Sequence, residues 1–380
     1  MDIGSRATDQ PEGSAAEPFR QHDHRVLVLQ GGGALGAYQA GVYEGLAAAG
    51  FAPDWIAGVS IGAINAALIA GNPPERRIER LREFWNRVSG RSTVVLPAGM
   101  DFARPFMNQM SAVSAAVFGI QGFYQPRTIP PHFAPAGSPG ALSYYDTEPL
   151  RATLEELVDF DCINRGDVRL SLGVVNVRSG ESVYFDSRTH RISASHVMAS
   201  GSLPPGFPPV EIDGEHYWDG GIMSNTPLQY VGEDLRMSAL IVQVDLFSGT
   251  GDLPQNLNQV QERAKDIQYQ SKQRFSYAKI KEMESLRSAL ADLLARLPPE
   301  MRSDPEVERL SAISRRGRVS LVHLVNRHDT KSSDFKDYEF SRATVLELWQ
   351  AGHADIRQVL TRPDSCRMTD FGNGVRAFDL

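Results

Sequence analysis

Residues 55–72 read WIAGVSIGAINAALIAGN, eighteen positions without one charged side chain. A stretch this apolar belongs in a core. Its first half, ending at Val59, predicts a short buried strand. In its second half Gly62, Ala63, Ala66, Ala67 and Ala70 provide a small face and Ile61, Ile64, Leu68 and Ile69 provide bulk, which predicts a closely packed helix. At the join stands Gly58-Val59-Ser60-Ile61-Gly62, a Gly-x-Ser-x-Gly. That spacing suits a nucleophile elbow: the serine rides a strained strand-to-helix turn, and the flanking glycines remove Cβ atoms that would clash. The helix N-terminus after Ser60 turns free N–H groups and partial positive charge toward the reacting centre.

Working outward, residues 24–30 (HRVLVLQ) form a second β-branched run and predict another buried strand. Gly31-Gly32-Gly33-Ala34-Leu35-Gly36 follows, then helical spacing of Tyr38, Val42 and Leu46. Such a turn exposes consecutive backbone N–H groups to an anion. Gly31-x-Gly33-x-x-Gly36 fits a dinucleotide fingerprint as written, but that chemistry needs an acid at the end of the second strand. Asp54 precedes the second strand, and Ser60 stands at its end. The alternative use of the same donors is an oxyanion hole.

Farther along, residues 75–88 predict an amphipathic helix, and residues 89–145 an irregular insertion rich in Pro, Gly and aromatics. Residues 105–126 carry no charge but too many Asn, Gln and Ser for a membrane span. This stretch is read as a lid, a membrane-touching element or a buried insertion. Helices are expected over 146–158 and 193–200, and strands over 169–177, 181–185, 238–246 and 318–325. Four prolines stiffen the loop through residues 199–210, and a hairpin leads to Tyr217-Trp218-Asp219-Gly220-Gly221. Asp219 there is either a functional carboxylate or the cap of an ordinary Asp-Gly turn. Residues 256–297 and 341–360 read as helices. The basic excess between Arg263 and Arg287 reads as a solvated face, with contact to anionic lipid as a second reading.

The 380 residues are 42% hydrophobic and 22% charged, enough for a sizeable core. A net charge of −7 argues against nucleic acid as partner. Cys162 and Cys366 offer neither a disulfide framework nor metal spacing, which places the chain in a reducing, cytoplasmic setting with no metal and no cofactor. Residues 1–23 read as a disordered tail without a signal peptide.

Taken in order, strand–GGGALG–helix, GVSIG, the proline loop and Asp-Gly-Gly resemble the patatin-like acyl hydrolases and phospholipases across residues 25–230. The resemblance implies a three-layer α/β/α sandwich with a mostly parallel central sheet, a catalytic domain over 24–248 and a helix-rich C-terminal extension over 249–380 with one strand. It implies Ser60 as nucleophile, Asp219 as its dyad partner, and Gly31, Gly32 and Gly33 with Ile61 as the oxyanion hole. Gly36, Gly58, Gly62, Gly220, Gly221 and Asn225 fall on supporting motif positions. Many members carry Arg or Lys where this chain has Leu35. The implied activity is hydrolysis of a lipid or fatty-acyl ester through an acyl-enzyme, with peripheral membrane contact as an accompaniment; the oligomeric state is not implied. Two rivals stand beside it: a Ser–His–Asp esterase completed by His323 or His328, and a non-catalytic lipid-binding or scaffolding protein on the same fold. An aspartate at its ordinary pKa of ~3.9 is a feeble base, so the reading looks to Tyr217 and Trp218 to dry its surroundings.

Overall fold

The computed structural model describes residues 19, 22–89, 111, 113–235, 237–314, 319–328, 337–361 and 377–379, without the side chains at 258, 271–281, 283, 284 and 377–379. The tail expected over 1–23 lies outside the described residues except for Phe19, His22 and Asp23. Phe19 is buried edge-on against Phe51, with ring centroids 5.4 Å apart. Cys366, Phe106, Met107 and Met110 also lie outside them, as do most of the basic side chains of the long helix.

The sheet starts from β1 (His24–Leu29) and β2 (Trp55–Gly58), which pair in parallel with Leu29 opposite Gly58. On the other side of β2 comes β3 (Arg169–Asn176), also parallel. The remaining strands are β4 (Ser182–Asp186), β5 (Val210–Ile212), β6 (Glu215–Asp219), β7 (Ala239–Asp245), β8 (Val319–Val325) and β9 (Ala377–Asp379). Their order is β9-β8-β7-β1-β2-β3-β6-β5, with β4 on β3. From β9 to β3 every pairing is parallel; β4, β5 and β6 are antiparallel additions. A parallel sheet must be covered on both faces, and β1, β3 and β7 are accordingly buried along most or all of their length.

Registry on β3 sets up the site. Ser171 and Leu172 pair with both β2 and β4, while Val174 and Val175 pair with both β4 and β6. A strand has two edges, so β2 and β6 occupy the same edge of β3, end to end. The chain leaving β2 therefore meets the chain ending β6.

Helices cover the sheet. After β1 comes α1 (Gly36–Ala48), and after β2 comes α2 (Ile61–Ala70), every residue of which is buried. Then follow α3 (Pro74–Val88), α4 (Glu148–Leu157), α5 (Phe160–Arg165), α6 (Ala194–Ser200) and α7 (Leu228–Asp234). Last come α8 (Leu257–Ala295), α9 (Pro305–Ser314) and α10 (Arg342–Leu360). Together they give the mixed, mostly parallel α/β/α architecture expected from sequence. Helix α1 is buried almost all round because α10 lies along it; Tyr38 donates to Asp355 Oδ2 at 2.8 Å, and Trp349 donates to Glu44.

Residues 249–380 contribute two strands where the sequence reading had one. β8 pairs with β7, and β9 pairs with β8. The extra strand is three residues long, too short for periodicity to reveal. Among the described residues no helix is long and apolar enough to cross a membrane.

Candidate active site

Ser60 caps the N-terminus of α2 at φ 56° and ψ −127°, a backbone conformation that costs a non-glycine residue about 1–3 kcal/mol. The surroundings hold it there. Its N–H donates to Ser200 O at 3.0 Å and lies 3.2 Å from Ser200 Oγ, which in turn donates to Gly173 O on β3 at 2.7 Å. The turn is tight enough that a Cβ on Gly58 would sit 2.4 Å from Gly62 O. Gly-x-Ser-x-Gly is thus a steric requirement of this elbow.

Asp219 ends β6 opposite Val174, two residues along β3 from the partner of Gly58. Its N–H donates to Ser202 O at 3.0 Å, and its Oδ1 accepts from Gly221 N–H at 2.7 Å. The Ser60 hydroxyl is close enough to favour the charged carboxylate, as the Gly221 N–H also does. At 1% exposure the carboxylate is stripped of water, and this burial outweighs both donors and pushes its pKa up to about 7. The ordinary aspartate pKa expected from sequence is thus replaced by one near neutral pH.

Among the predicted oxyanion donors the structure makes a distinction. Gly31 N–H donates to Asn225 O at 3.1 Å, and Asn225 Nδ2 donates back to Gly31 O at 2.9 Å. Gly31 is therefore clasped, and its N–H is taken out of the donor set. The N–H groups of Gly32, Gly33 and Ile61 find no acceptor among the described residues. All three residues line the cavity that Ser60 faces. A Cβ on Gly31 would fall 2.3 Å from Asn225 Oδ1 and 2.9 Å from Ser60 Cβ, so only glycine fits between them.

Behind the glycine turn runs a buried polar chain that sequence reasoning missed. Trp85 Nε1 donates to Asn65 Oδ1 at 3.1 Å; Asn65 Nδ2 donates to Gly36 O and Gln39 Oε1, both at 3.0 Å. Gln39 Nε2 reaches Gln30 O at 2.7 Å, and Gln30 Oε1 accepts from Leu246 N–H at 2.6 Å. Each link satisfies a buried polar group and fixes backbone on either side of the turn. The signal was present in sequence as Gln30, Gln39 and Asn65 at buried positions of otherwise apolar elements.

The cavity has a volume of about 370 Å³. Phe123, Tyr124, Phe207 and Phe340 form much of its apolar wall, in mutual ring contact at 5.1–6.0 Å. Tyr217 and Trp218 do not line it: Tyr217 packs on Phe185 at 5.0 Å instead. Tyr269 of α8 and Asp337, Tyr338 and Phe340 just before α10 complete the wall, so residues past 249 belong to the site. The uncharged stretch 105–126 splits: Phe123 and Tyr124 are buried, whereas Phe118 is 76% exposed.

Neither histidine of the rival triad reaches Ser60. His323 lies on β8, three strand spacings or about 14 Å across the sheet from β2, and pairs with Asp245. His328 pairs with Asp355 at 2.9 Å. Among the described residues no group of three His, Cys, Asp or Glu is placed to hold a metal ion.

A family model described as patatin-like phospholipase matches residues 27–231, more than half of the chain. A second, described as DUF3734, patatin phospholipase, matches residues 267–371. No curated protein matches the sequence. Among solved structures, VipD from Legionella pneumophila is similar at 18% identity and a TM-score of 0.39, over 89% of this chain and 67% of that one. Human GIVD cytosolic phospholipase A2 is similar at 11% identity and a TM-score of 0.44, over 93% of this chain and 63% of that one. The chain spans about two thirds of the length of each.

Proposed function

The chain belongs to the patatin-like phospholipase family, a family of ester-bond hydrolases acting on lipid, and we propose that it works through a Ser60–Asp219 dyad and an acyl-enzyme. The observation that carries this reading is a buried Asp219 beside Ser60 in one cavity, with a pKa that has risen to about 7. Serine is a weak nucleophile without an adjacent base, and Asp219 is the carboxylate next to it. As Ser60 Oγ attacks the acyl carbon, its proton passes to Asp219. The carbonyl oxygen gathers negative charge, which the N–H groups of Gly32, Gly33 and Ile61 would take up in a water-poor cavity. Asp219 then returns the proton to the leaving alcohol, and water attacks the acyl-enzyme by the reverse path. The clasp of Asn225 on Gly31 supports the reading, since it holds the glycine turn against the elbow.

Contact with membrane belongs to the same proposal. Val113 and Tyr144 line the cavity and are also exposed, and Val117, Phe118, Ile129, Phe133 and Leu142 are exposed in the same two segments. Tyr145 Oη donates to Ala116 O at 2.8 Å and ties those segments together. An apolar rim beside the site suits an enzyme that draws its substrate from a bilayer surface. The protein would therefore work peripheral to a membrane. The decisive experiment is hydrolysis of a panel of acyl esters and phospholipid vesicles by wild type and Ser60→Ala; equal rates from both would refute the dyad.

A further inference from the structure

Five tyrosines line the cavity: Tyr124, Tyr144 and Tyr145 on the side of Phe123 and Phe207, and Tyr269 and Tyr338 on the wall contributed by residues past 249. Tyr269 and Tyr338 both line it beside Ser60 and Asp219. Their rings are held in place: Tyr269 stacks on Phe247 at 4.9 Å, and the Lys265 ammonium lies over the Tyr338 ring at 5.2 Å. The hydroxyl of Tyr145 on the opposite segment is satisfied by Ala116 O at 2.8 Å. No hydrogen bond engages the Tyr124, Tyr144, Tyr269 or Tyr338 hydroxyl among the described residues, but Tyr269 and Tyr338 are the ones whose phenols feel the Asp219 carboxylate. Loss of water and the nearby Asp219 and Asp337 carboxylates together raise both phenol pKa values, to about 12 for Tyr269. Both hydroxyls are therefore protonated donors at neutral pH, close to the reacting pair.

The charge on this wall has one sign. Among the described residues lining the cavity there is no Lys, Arg or His, and the carboxylates are Asp219 and Asp337. Lys265 pairs with Asp337 but does not itself line the cavity. A phosphate brought here would lose water without gaining a cation, which costs more than it returns. A neutral alcohol group would find two phenol donors and the Asp337 carboxylate as an acceptor.

We propose that Tyr269 and Tyr338 form the subsite for the alcohol half of the substrate, and that this half is uncharged and hydroxyl-bearing, as in a partial glyceride. The assignment rests on the hydrolase reading above and specifies which ester that site takes. It gives the residues past 249 a direct part in choosing substrate.

The test compares three oleoyl esters in mixed micelles: monooleoylglycerol, ethyl oleate and oleoyl lysophosphatidate. Wild type should cleave the first faster than the third by roughly tenfold or more, the scale of an uncompensated like charge. Tyr269→Phe and Tyr338→Phe, which keep the rings, should each lower kcat/KM for monooleoylglycerol roughly 3- to 10-fold, mainly through KM, as loss of one hydrogen bond does. Ethyl oleate, with no hydroxyl to lose, should be cleaved as before. The proposal is overturned if wild type prefers lysophosphatidate, if both variants leave monooleoylglycerol hydrolysis unchanged, or if the two neutral esters fall together. Failure of wild type to cleave any of the three would instead refute the hydrolase reading itself.

Discussion

Gly58 and Asp219 sit on one edge of the same strand, opposite Leu172 and Val174, so the elbow after Gly58 and the carboxylate of Asp219 converge over Gly173. The proposed dyad would be built by strand replacement: β2 stops, β6 takes its place, and Ser60 and Asp219 come together at the seam. Ser60→Ala should abolish both ester hydrolysis and labelling by a fluorophosphonate probe. Asp219→Asn should lose hydrolysis nearly as completely, because base and nucleophile act as a unit. For wild type, kcat/KM should climb as pH rises through about 7, where Asp219 gives up its proton, and then level off. A profile already flat from pH 5 upward would contradict a base of that pKa.

Holding Asp219 in a dry site has a cost that depends on pH. Its pKa rises from about 3.9 in the unfolded chain to about 7 in the folded protein. The folded state thus binds the proton more tightly, and wild-type stability should fall as pH rises from about 4 to about 7, staying low above that. The full penalty is on the order of 4 kcal/mol. Asp219→Asn escapes it, so the variant should be more stable than wild type at pH 8, with the gap narrowing toward pH 4. Urea titrations at the two pH values measure this directly, and a pH-independent difference would count against it.

The reciprocal hydrogen bonds between Asn225 and Gly31 fix the turn that carries the free N–H groups. Asn225→Ala removes the side-chain half and leaves Gly31 O unpaired in a buried place. Stability should drop by about 1–3 kcal/mol. A parallel loss of roughly 10²-fold in kcat is expected if the donors lose their aim. Unchanged kcat with lowered stability would make the clasp structural only.

His323 offers the converse case. It pairs with Asp245, which is fully buried, but stands three strands from the elbow. His323→Gln should lower stability by about 1–3 kcal/mol and leave kcat unchanged well below the melting transition. A loss of ~10³-fold would bring back the histidine triad.

Phe118 and Phe133, exposed at 76% and 81%, are the side chains best placed to enter a bilayer. Replacing both by Ser should weaken binding to phospholipid vesicles by roughly 10²-fold or more, given about 1.5–3 kcal/mol for each. Cleavage of a short soluble ester should persist. Joint loss of both activities and of melting temperature would show that the rim is core. Phe123 is unsuitable for this test, since it is buried among Phe84, Tyr124, Phe207 and Phe340.

Much of the site was legible because its motifs are backbone requirements. A strand, a turn of glycines and an uncharged helix can be read from β-branched runs and small residues, as 24–36 and 55–70 were. What could not be read was anything that depends on which strands become neighbours. Burial lifts the Asp219 pKa toward neutral only because β6 closes over β3. Gly31 loses its donor role only because Asn225 lies against it. Tyr269 and Asp337 sit in segments whose local pattern is helix or loop, and nothing in that pattern says they face Ser60. The alternatives left open for the insertion 89–145 could not be narrowed from sequence for the same reason, since a run of aromatics looks alike whether it lines a cavity or rims it.

The position of β1 also bears on synthesis of the chain. β1 lies between β2 and β7, and Gly31 just beyond it is clasped by a residue 194 positions later. While the protein is being made, Ser60 leaves the ribosome long before Asp219, Asn225 or β7 exist. The nascent chain thus carries its hydroxyl without a base and without a rigid glycine turn, and it presents open strand edges that only later residues can pair. A hydrolase assembled in this order would be inactive until nearly complete. Its vulnerable period is the same interval, when those edges are available to a chaperone or to another copy of the chain.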